Sequence, residues 1–164
     1  MKKEIYLFAI AFLLMINISA QEKKLYNPDA NAIVDIDEAI KKATAENKFV
    51  LIMAGGNWCS WCLEFNRSCK ADLQVDSAIN SSFIFYHLNY SKENMNDAVF
   101  AKYGYPQRFG FPVFIILDGK GQRLNTQNSE YLENGKKGYD QKKVLGFLEQ
   151  WSPKALSPEA YSKQ

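Results

Sequence analysis

The feature that most constrains this chain is a short apolar run, Phe49-Val-Leu-Ile-Met53, broken by Gly55-Gly56 and followed by Cys59-Ser-Trp-Cys62. Unbroken apolar character over so few residues is the pattern of a strand covered on both faces. From Cys59 to about Lys70 the periodicity becomes helical, with Cys62, Phe65 and Cys69 at compatible spacings. A cysteine pair therefore stands where a buried strand turns into a helix.

That position has chemical consequences. The first cysteine falls at or near the helix N-cap, where unpaired N–H groups and the helix dipole favour an anion. A thiol there has a lowered pKa and supplies the attacking thiolate at neutral pH. The second cysteine lies one turn in, on the same side, within reach of a mixed disulfide formed by the first. Other uses of the pair stay open. Two cysteines are half of a closed zinc site, which needs four ligands, and only Cys69 and His87 could add to them. Cys69 lies two helical turns beyond Cys62, about 10 Å along the axis. That spacing disfavours a shared metal, and also a Cys62–Cys69 disulfide, whose Cα atoms would need to lie within about 7 Å. A purely structural Cys59–Cys62 disulfide is a further alternative. Cys69 itself reads as a small buried hydrophobe, with an accessory or dimer-forming thiol as the other option.

The amino terminus sets the redox context. Lys2 and Lys3 precede an apolar stretch from Ile5 to Ile16, and Ser19-Ala20 then leads into Gln21-Glu22. This is the order of a secretory signal peptide, residues 1–20, with Ile18 a departure from the small residue usual before the cut. The expected location is periplasmic or secreted, where disulfides persist. The remaining 144 residues would carry 18 basic and 17 acidic side chains. Such a balance does not suit phosphate neutralisation, so no nucleic-acid partner is expected. Nor is stable membrane insertion expected after signal cleavage. At 47% hydrophobic and 23% charged residues, the composition is that of a globular chain. One His and three Cys leave little for a metal centre, and neither a metal nor a cofactor is expected.

Residues 21–34 read as a polar lead-in, and residues 152–164, with two Ser-Pro steps, as a loose tail. Between them, 35–151 form the expected domain. Asp35 or Asp37 is placed to cap a helix reaching about Glu46. A second strand fits Phe83 to Tyr90, a short helix 95–103, and a third strand Phe111-Pro-Val-Phe-Ile-Ile-Leu117. Asp118-Gly-Lys-Gly121 predicts a hairpin, and Asp140 caps a last helix to Trp151 with Val144, Leu145, Phe147 and Leu148 inward. The alternation of strands and helices defines an α/β class.

Phe49 to Cys62 resembles the strand and active-site motif of the thioredoxin family. Tyr103-Gly-Tyr-Pro-Gln-Arg-Phe-Gly-Phe-Pro-Val-Phe114 resembles its second signature, and Asp118–Gly121 the hairpin that follows. Trp58-Cys-Ser-Trp-Cys-Leu-Glu-Phe65 with Gln74-Val-Asp-Ser-Ala78 is similar to exported bacterial members. Among these is the C-terminal thioredoxin-like domain of the transmembrane disulfide reductant conductor. The resemblance implies a thioredoxin fold, a central mixed sheet flanked by helices, and thiol–disulfide exchange with protein clients and a membrane or envelope redox partner. It implies Cys59 as nucleophile, Cys62 as resolving thiol and Pro112 as a cis-proline facing them. Trp58, Trp61, Phe111 and Pro112 would form the substrate-binding surface, Phe111 through backbone groups offered to an extended segment. The reductase direction is favoured. Two departures stand out: Met53 replaces the buried Asp of many thioredoxins, with Glu64 only a weak substitute, and Ser60-Trp61 replaces Gly-Pro. His87 reads as structural. The alternative is a non-enzymatic metal-binding or partner-binding module on the same fold.

Overall fold

The computed structural model describes residues 24–162; the expected signal peptide, residues 1–20, lies outside them. The first element is a helix, α1 (Ala32–Ala45), capped by Asn31, whose side-chain oxygen accepts the Val34 N–H at 3.4 Å. The start expected at Asp35 or Asp37 is therefore corrected to Asn31. Both aspartates lie inside the helix, Asp35 in its first turn, where a negative charge suits the dipole.

Strand β1 (Phe49–Gly55) is the centre of the molecule. After it come α2 (Ser60–Ala71), α3 (Leu73–Ser82) and β2 (Phe83–Asn89). The chain continues through α4 (Asp97–Lys102), β3 (Val113–Leu117), β4 (Arg123–Asn128) and α5 (Gln141–Gln150). The sheet order is β2-β1-β3-β4. β1 runs parallel to β2 and antiparallel to β3, which pairs antiparallel with β4. The strand expected from Phe111 begins at Val113, because Pro112 has no N–H to give the ladder; the Phe111–Pro112 peptide is cis.

Alternation along the two central strands sorts the core into two layers. Val50, Ile52 and Ala54, with Val113, Ile115 and Leu117, face Ile36, Ala39 and Ala43 of α1 and Val99 and Phe100 of α4. Leu51 and Met53, with Phe114 and Ile116, face Phe65 of α2, Val75 and Ile79 of α3, and Phe147 of α5. The cysteine pair belongs to this second layer.

Helix α3 is an element the periodicity did not disclose. Asp72 ends α2 in an extended conformation and begins α3 by accepting N–H groups of Gln74 (3.0 Å) and Val75 (3.1 Å). One cap residue thus divides what would otherwise be one long helix. The hairpin forms as expected: the Asp118 carboxylate accepts N–H groups of Lys120 and Gln122, both at 2.8 Å. Asp140 caps α5 through the Lys143 N–H at 3.1 Å. Val144, Phe147 and Leu148 are buried, while Leu145 is only partly so. Within the expected tail, the described residues 153–162 form hydrogen-bonded turns. Ser152 is buried and its hydroxyl accepts the Ala155 N–H (3.2 Å), and the Tyr161 hydroxyl donates to the Ala155 carbonyl (2.8 Å).

Candidate active site

The register places the site. β3 lies antiparallel beside β1, and Val113 pairs with Ala54, so the Phe111–Pro112 segment enters next to the carboxyl end of β1. The chain leaves that end through Gly55, Gly56, Asn57 and Trp58 and starts α2 at Cys59, the N-cap. The Cys59 and Cys62 sulfurs are joined in a disulfide, with Cα atoms 5.2 Å apart. Cys59 Sγ also accepts the Cys62 N–H at 3.1 Å, which puts this sulfur at the positive end of the helix. Cys59 retains a small exposed area (6%), whereas Cys62 has none. An incoming sulfur can therefore reach Cys59 but not Cys62.

The aromatic residues divide between two neighbours. The Trp58 indole N–H donates to the Tyr90 carbonyl (2.7 Å), and its ring meets Phe111 edge-on at 5.6 Å. Phe111 in turn stacks on Tyr90 at 4.8 Å. Trp58 nevertheless stays 60% exposed, so a pinned apolar ring stands beside the disulfide. Gly56 makes this packing available: a Cβ there would strike the indole and lie 2.7 Å from the Tyr90 carbonyl. Trp61 points elsewhere. It is partly buried and meets the Tyr139 ring edge-on at 5.6 Å, and the Tyr139 hydroxyl donates to the Trp61 carbonyl at 3.2 Å. Pro112 is buried, in cis linkage to Phe111.

The remaining candidates separate from the pair. Met53 is fully buried in the cluster that holds both cysteines. Glu64 is engaged by Arg67 at 2.7 and 2.9 Å and by the Ser68 hydroxyl at 2.9 Å; these bonds hold its carboxyl below the usual range. Cys69 is buried further along α2, and burial pushes its thiol up to about 12, so it stays protonated and unreactive. Among the described residues no group of three or more His, Cys, Asp or Glu is arranged to hold a metal ion.

Two residues that sequence reasoning passed over complete the surroundings. Tyr26, within the polar lead-in, has no exposed surface. Asn57 clamps its backbone, accepting the Tyr26 N–H (3.0 Å) and donating to the Tyr26 carbonyl (2.8 Å). The only local signal was the apolar pair Leu25-Tyr26 in a polar stretch. His87, on β2 opposite Met53, packs against the Tyr26 ring edge-on at 5.7 Å and against Phe85 at 4.5 Å. Desolvation, aided by the Lys70 charge, pushes its imidazole down to about 4. The ring is therefore neutral at pH 7.

A depressed imidazole pKa makes protonation favour the unfolded chain between pH 6.5 and about 4. The stability that neutral His87 provides is complete above pH 6.5 and is lost as pH falls through that window. Replacing His87 by Phe is expected to remove this part of the acid sensitivity. Urea midpoints of the two proteins should move together above pH 6.5, and below it the wild type should fall faster.

A mixed four-stranded sheet carrying a Cys-x-x-Cys disulfide at a helix N-terminus, with a cis-proline at the head of the adjacent strand, is the equipment of a thiol–disulfide oxidoreductase. A family model described as thioredoxin-like matches residues 30–119, more than half of the chain, and the protein belongs to that family. No curated protein sequence matches it significantly. Its fold is similar to a disulphide isomerase from Xylella fastidiosa Temecula1, at TM-score 0.69 and 20% identity over 79% of this chain and 97% of that one. It is also similar to the reduced C-terminal domain of DsbD from Neisseria meningitidis (TM-score 0.52, 18% identity, 73% and 96% of the two chains). A thioredoxin from Thermus thermophilus shares the fold at TM-score 0.53 and 16% identity, over 78% and 92%.

Proposed function

We propose that this protein reduces disulfides of protein clients in the cell envelope, with Cys59 as nucleophile and Cys62 as resolving thiol. The observation that carries the reading is the asymmetry of the pair: Cys59 is reachable at the helix N-cap, and Cys62 is enclosed behind it. In the reduced protein the helix terminus favours a Cys59 thiolate. That thiolate attacks a client disulfide, and one client sulfur leaves as a thiolate. Cys62, its proton passing to the released client thiolate, then attacks Cys59 Sγ and releases the second client sulfur. The client gains two electrons and the protein ends as the Cys59–Cys62 disulfide. An envelope or membrane dithiol donor returns it to the reduced state by the same steps in reverse. No bound cofactor enters the cycle.

Trp58, Trp61, Phe111 and Pro112 are assigned to the client-binding surface. Support comes from the exposed, hydrogen-bonded Trp58 ring against Phe111, a rigid apolar contact next to the reacting sulfur. Trp61 contributes through its exposed part only. The envelope location is supported by the Lys-apolar-Ser-Ala order of residues 2–20. Consistent with it, no described helix is long and apolar enough to cross a membrane. The reductase direction rests on the resemblance of Trp58–Phe65 and Gln74–Ala78 to exported bacterial members of the family.

The test is a redox titration. The protein is equilibrated in dithiol and glutathione buffers, quenched by alkylation and scored for the Cys59–Cys62 bond. A two-electron transition near about −270 mV fits a reductant, and one near about −120 mV reverses the assigned direction. Failure to form the disulfide in any buffer would overturn the redox reading. Stoichiometric zinc or copper in protein purified without added metal would then favour the metal-binding alternative.

A further inference from the structure

Cys62 poses an energetic problem. Whenever the disulfide opens or is about to close, this enclosed sulfur must carry a negative charge, and its mostly apolar cluster includes Met53, Phe65, Leu51 and Phe114. An unpaired charge in apolar surroundings is costly. Met53 occupies the β1 position where a titratable group could have faced the pair, and Glu64 is engaged elsewhere.

One polar atom does lie near the sulfur. The Tyr26 hydroxyl is buried and finds no hydrogen-bond partner among the described residues. Its position is defined by Gly55: a Cβ on that residue would collide with Cys62 Sγ and lie 2.9 Å from the Tyr26 oxygen. The sulfur and the phenol therefore converge on the same point beside the β1 backbone, where only the absence of a side chain on Gly55 lets both approach. Asn57, two residues before Cys59, holds the Tyr26 backbone by two hydrogen bonds, tying the phenol to the active-site turn. Buried polar groups are normally paired, so an orphan hydroxyl next to a sulfur that is charged in another redox state calls for explanation.

We propose that the Tyr26 hydroxyl donates a hydrogen bond to the Cys62 thiolate in the reduced protein and in the mixed disulfide. The proposal deepens the oxidoreductase reading and rests on it for its catalytic meaning. When a donor thiolate attacks Cys59 Sγ, a donor–Cys59 bond forms and the Cys59–Cys62 bond breaks. The electron pair of the broken bond stays on Cys62 Sγ, and Tyr26 receives that leaving thiolate. In the client-reducing direction the same bond favours loss of the Cys62 proton before attack. Tyr26 keeps its own proton throughout, since burial pushes the phenol pKa well up. The titratable groups around this pocket are Cys59 at the N-cap of α2, Cys69 within α2, His87 on β2 and Tyr139 ahead of α5, with Lys70 acting on His87. His87 is neutral and supplies no counter-charge.

The test uses Tyr26→Phe, which keeps the ring and removes the oxygen. In the full chain carrying Cys59→Ser, Cys62 titrates without its partner, and Cys69 stays protonated until about pH 12. Thiolate absorbance against pH is expected to show the Cys62 midpoint moving up by about one to two units on adding Tyr26→Phe. With Cys59 restored, single-turnover resolution of a mixed disulfide at pH 7 should slow about three- to tenfold. Each unit of pKa costs tenfold in thiolate, and the greater nucleophilicity of the more basic sulfur recovers about half of that on a logarithmic scale. A merely structural role would leave the midpoint in place. An independent readout needs no variant at Tyr26: the Cζ resonance of Tyr26 should shift as Cys62 titrates in the Cys59→Ser protein. If Tyr26→Phe fails to fold, that resonance decides. An unmoved midpoint in folded Tyr26→Phe, or a Cζ signal indifferent to Cys62 charge, overturns the proposal. The midpoint is read without turnover, so inactivity of the wild type would count against the oxidoreductase reading alone.

Discussion

Serine in place of Cys59 is expected to lower disulfide-reducing turnover by about 10³-fold or more, because the hydroxyl is not ionised where the thiol is. The fold should survive: Cys59 is at a helix N-cap, and Ser is a preferred residue there. Serine in place of Cys62 should have a different signature. Its reduced protein should still attack clients, because the reachable sulfur is intact, but the mixed disulfide should persist and be recoverable by non-reducing electrophoresis. Equal trapping by the two variants would contradict the assigned roles. The cause is geometric: Cys59 meets the solvent, and Cys62, with no exposed surface, meets only Cys59 and the core.

Phe65→Ala carries the largest expected effect on stability. Phe65 has no exposed surface and joins α2 to the sheet, its ring centroid 4.5 Å from that of Phe114 on β3 and 4.9 Å from that of Tyr139. Truncating such a ring in a core costs about 3–5 kcal/mol, from lost transfer energy and the cavity left behind. Against a total of about 5–15 kcal/mol for an ordinary domain, that is a large fraction. The urea midpoint should fall with an unchanged m-value, and Tm should drop by about 10 °C. Because Tyr139 also holds Trp61, through the ring contact and the bond to the Trp61 carbonyl, folded Phe65→Ala should bind clients less tightly as well. A loss of unfolding free energy below about 1 kcal/mol would show that the neighbouring rings close the cavity.

The two signatures quoted from the sequence were legible for a local reason. Phe49–Met53 is apolar at every position because β1 is the central strand and is covered on both faces, so its burial is written in consecutive residues. Cys59 and Cys62 needed only their spacing and the preceding Gly55-Gly56 to be placed at a helix start. Capping residues were less legible. Asn31 and Asp72 each had rivals nearby, and which polar residue caps depends on where the backbone turns. Asp72 has the further property of ending one helix and starting the next, which no single-period pattern can express.

By itself, the sequence determined the α/β class, the buried strand, the junction cysteines and the proline ahead of β3, since each is encoded within a dozen neighbouring residues. Only the tertiary structure decided what stands behind the disulfide. Tyr26 lies 33 residues before Cys59, in a stretch whose composition reads as solvated, and it reaches the core because Asn57 in the active-site turn holds its backbone. The bare backbone at Gly55, the orphan phenol oxygen and the enclosed Cys62 sulfur come together from three separate segments. A hydrophobic pattern records how much of a segment is buried, whereas a pairing between distant polar atoms depends on how the segments pack.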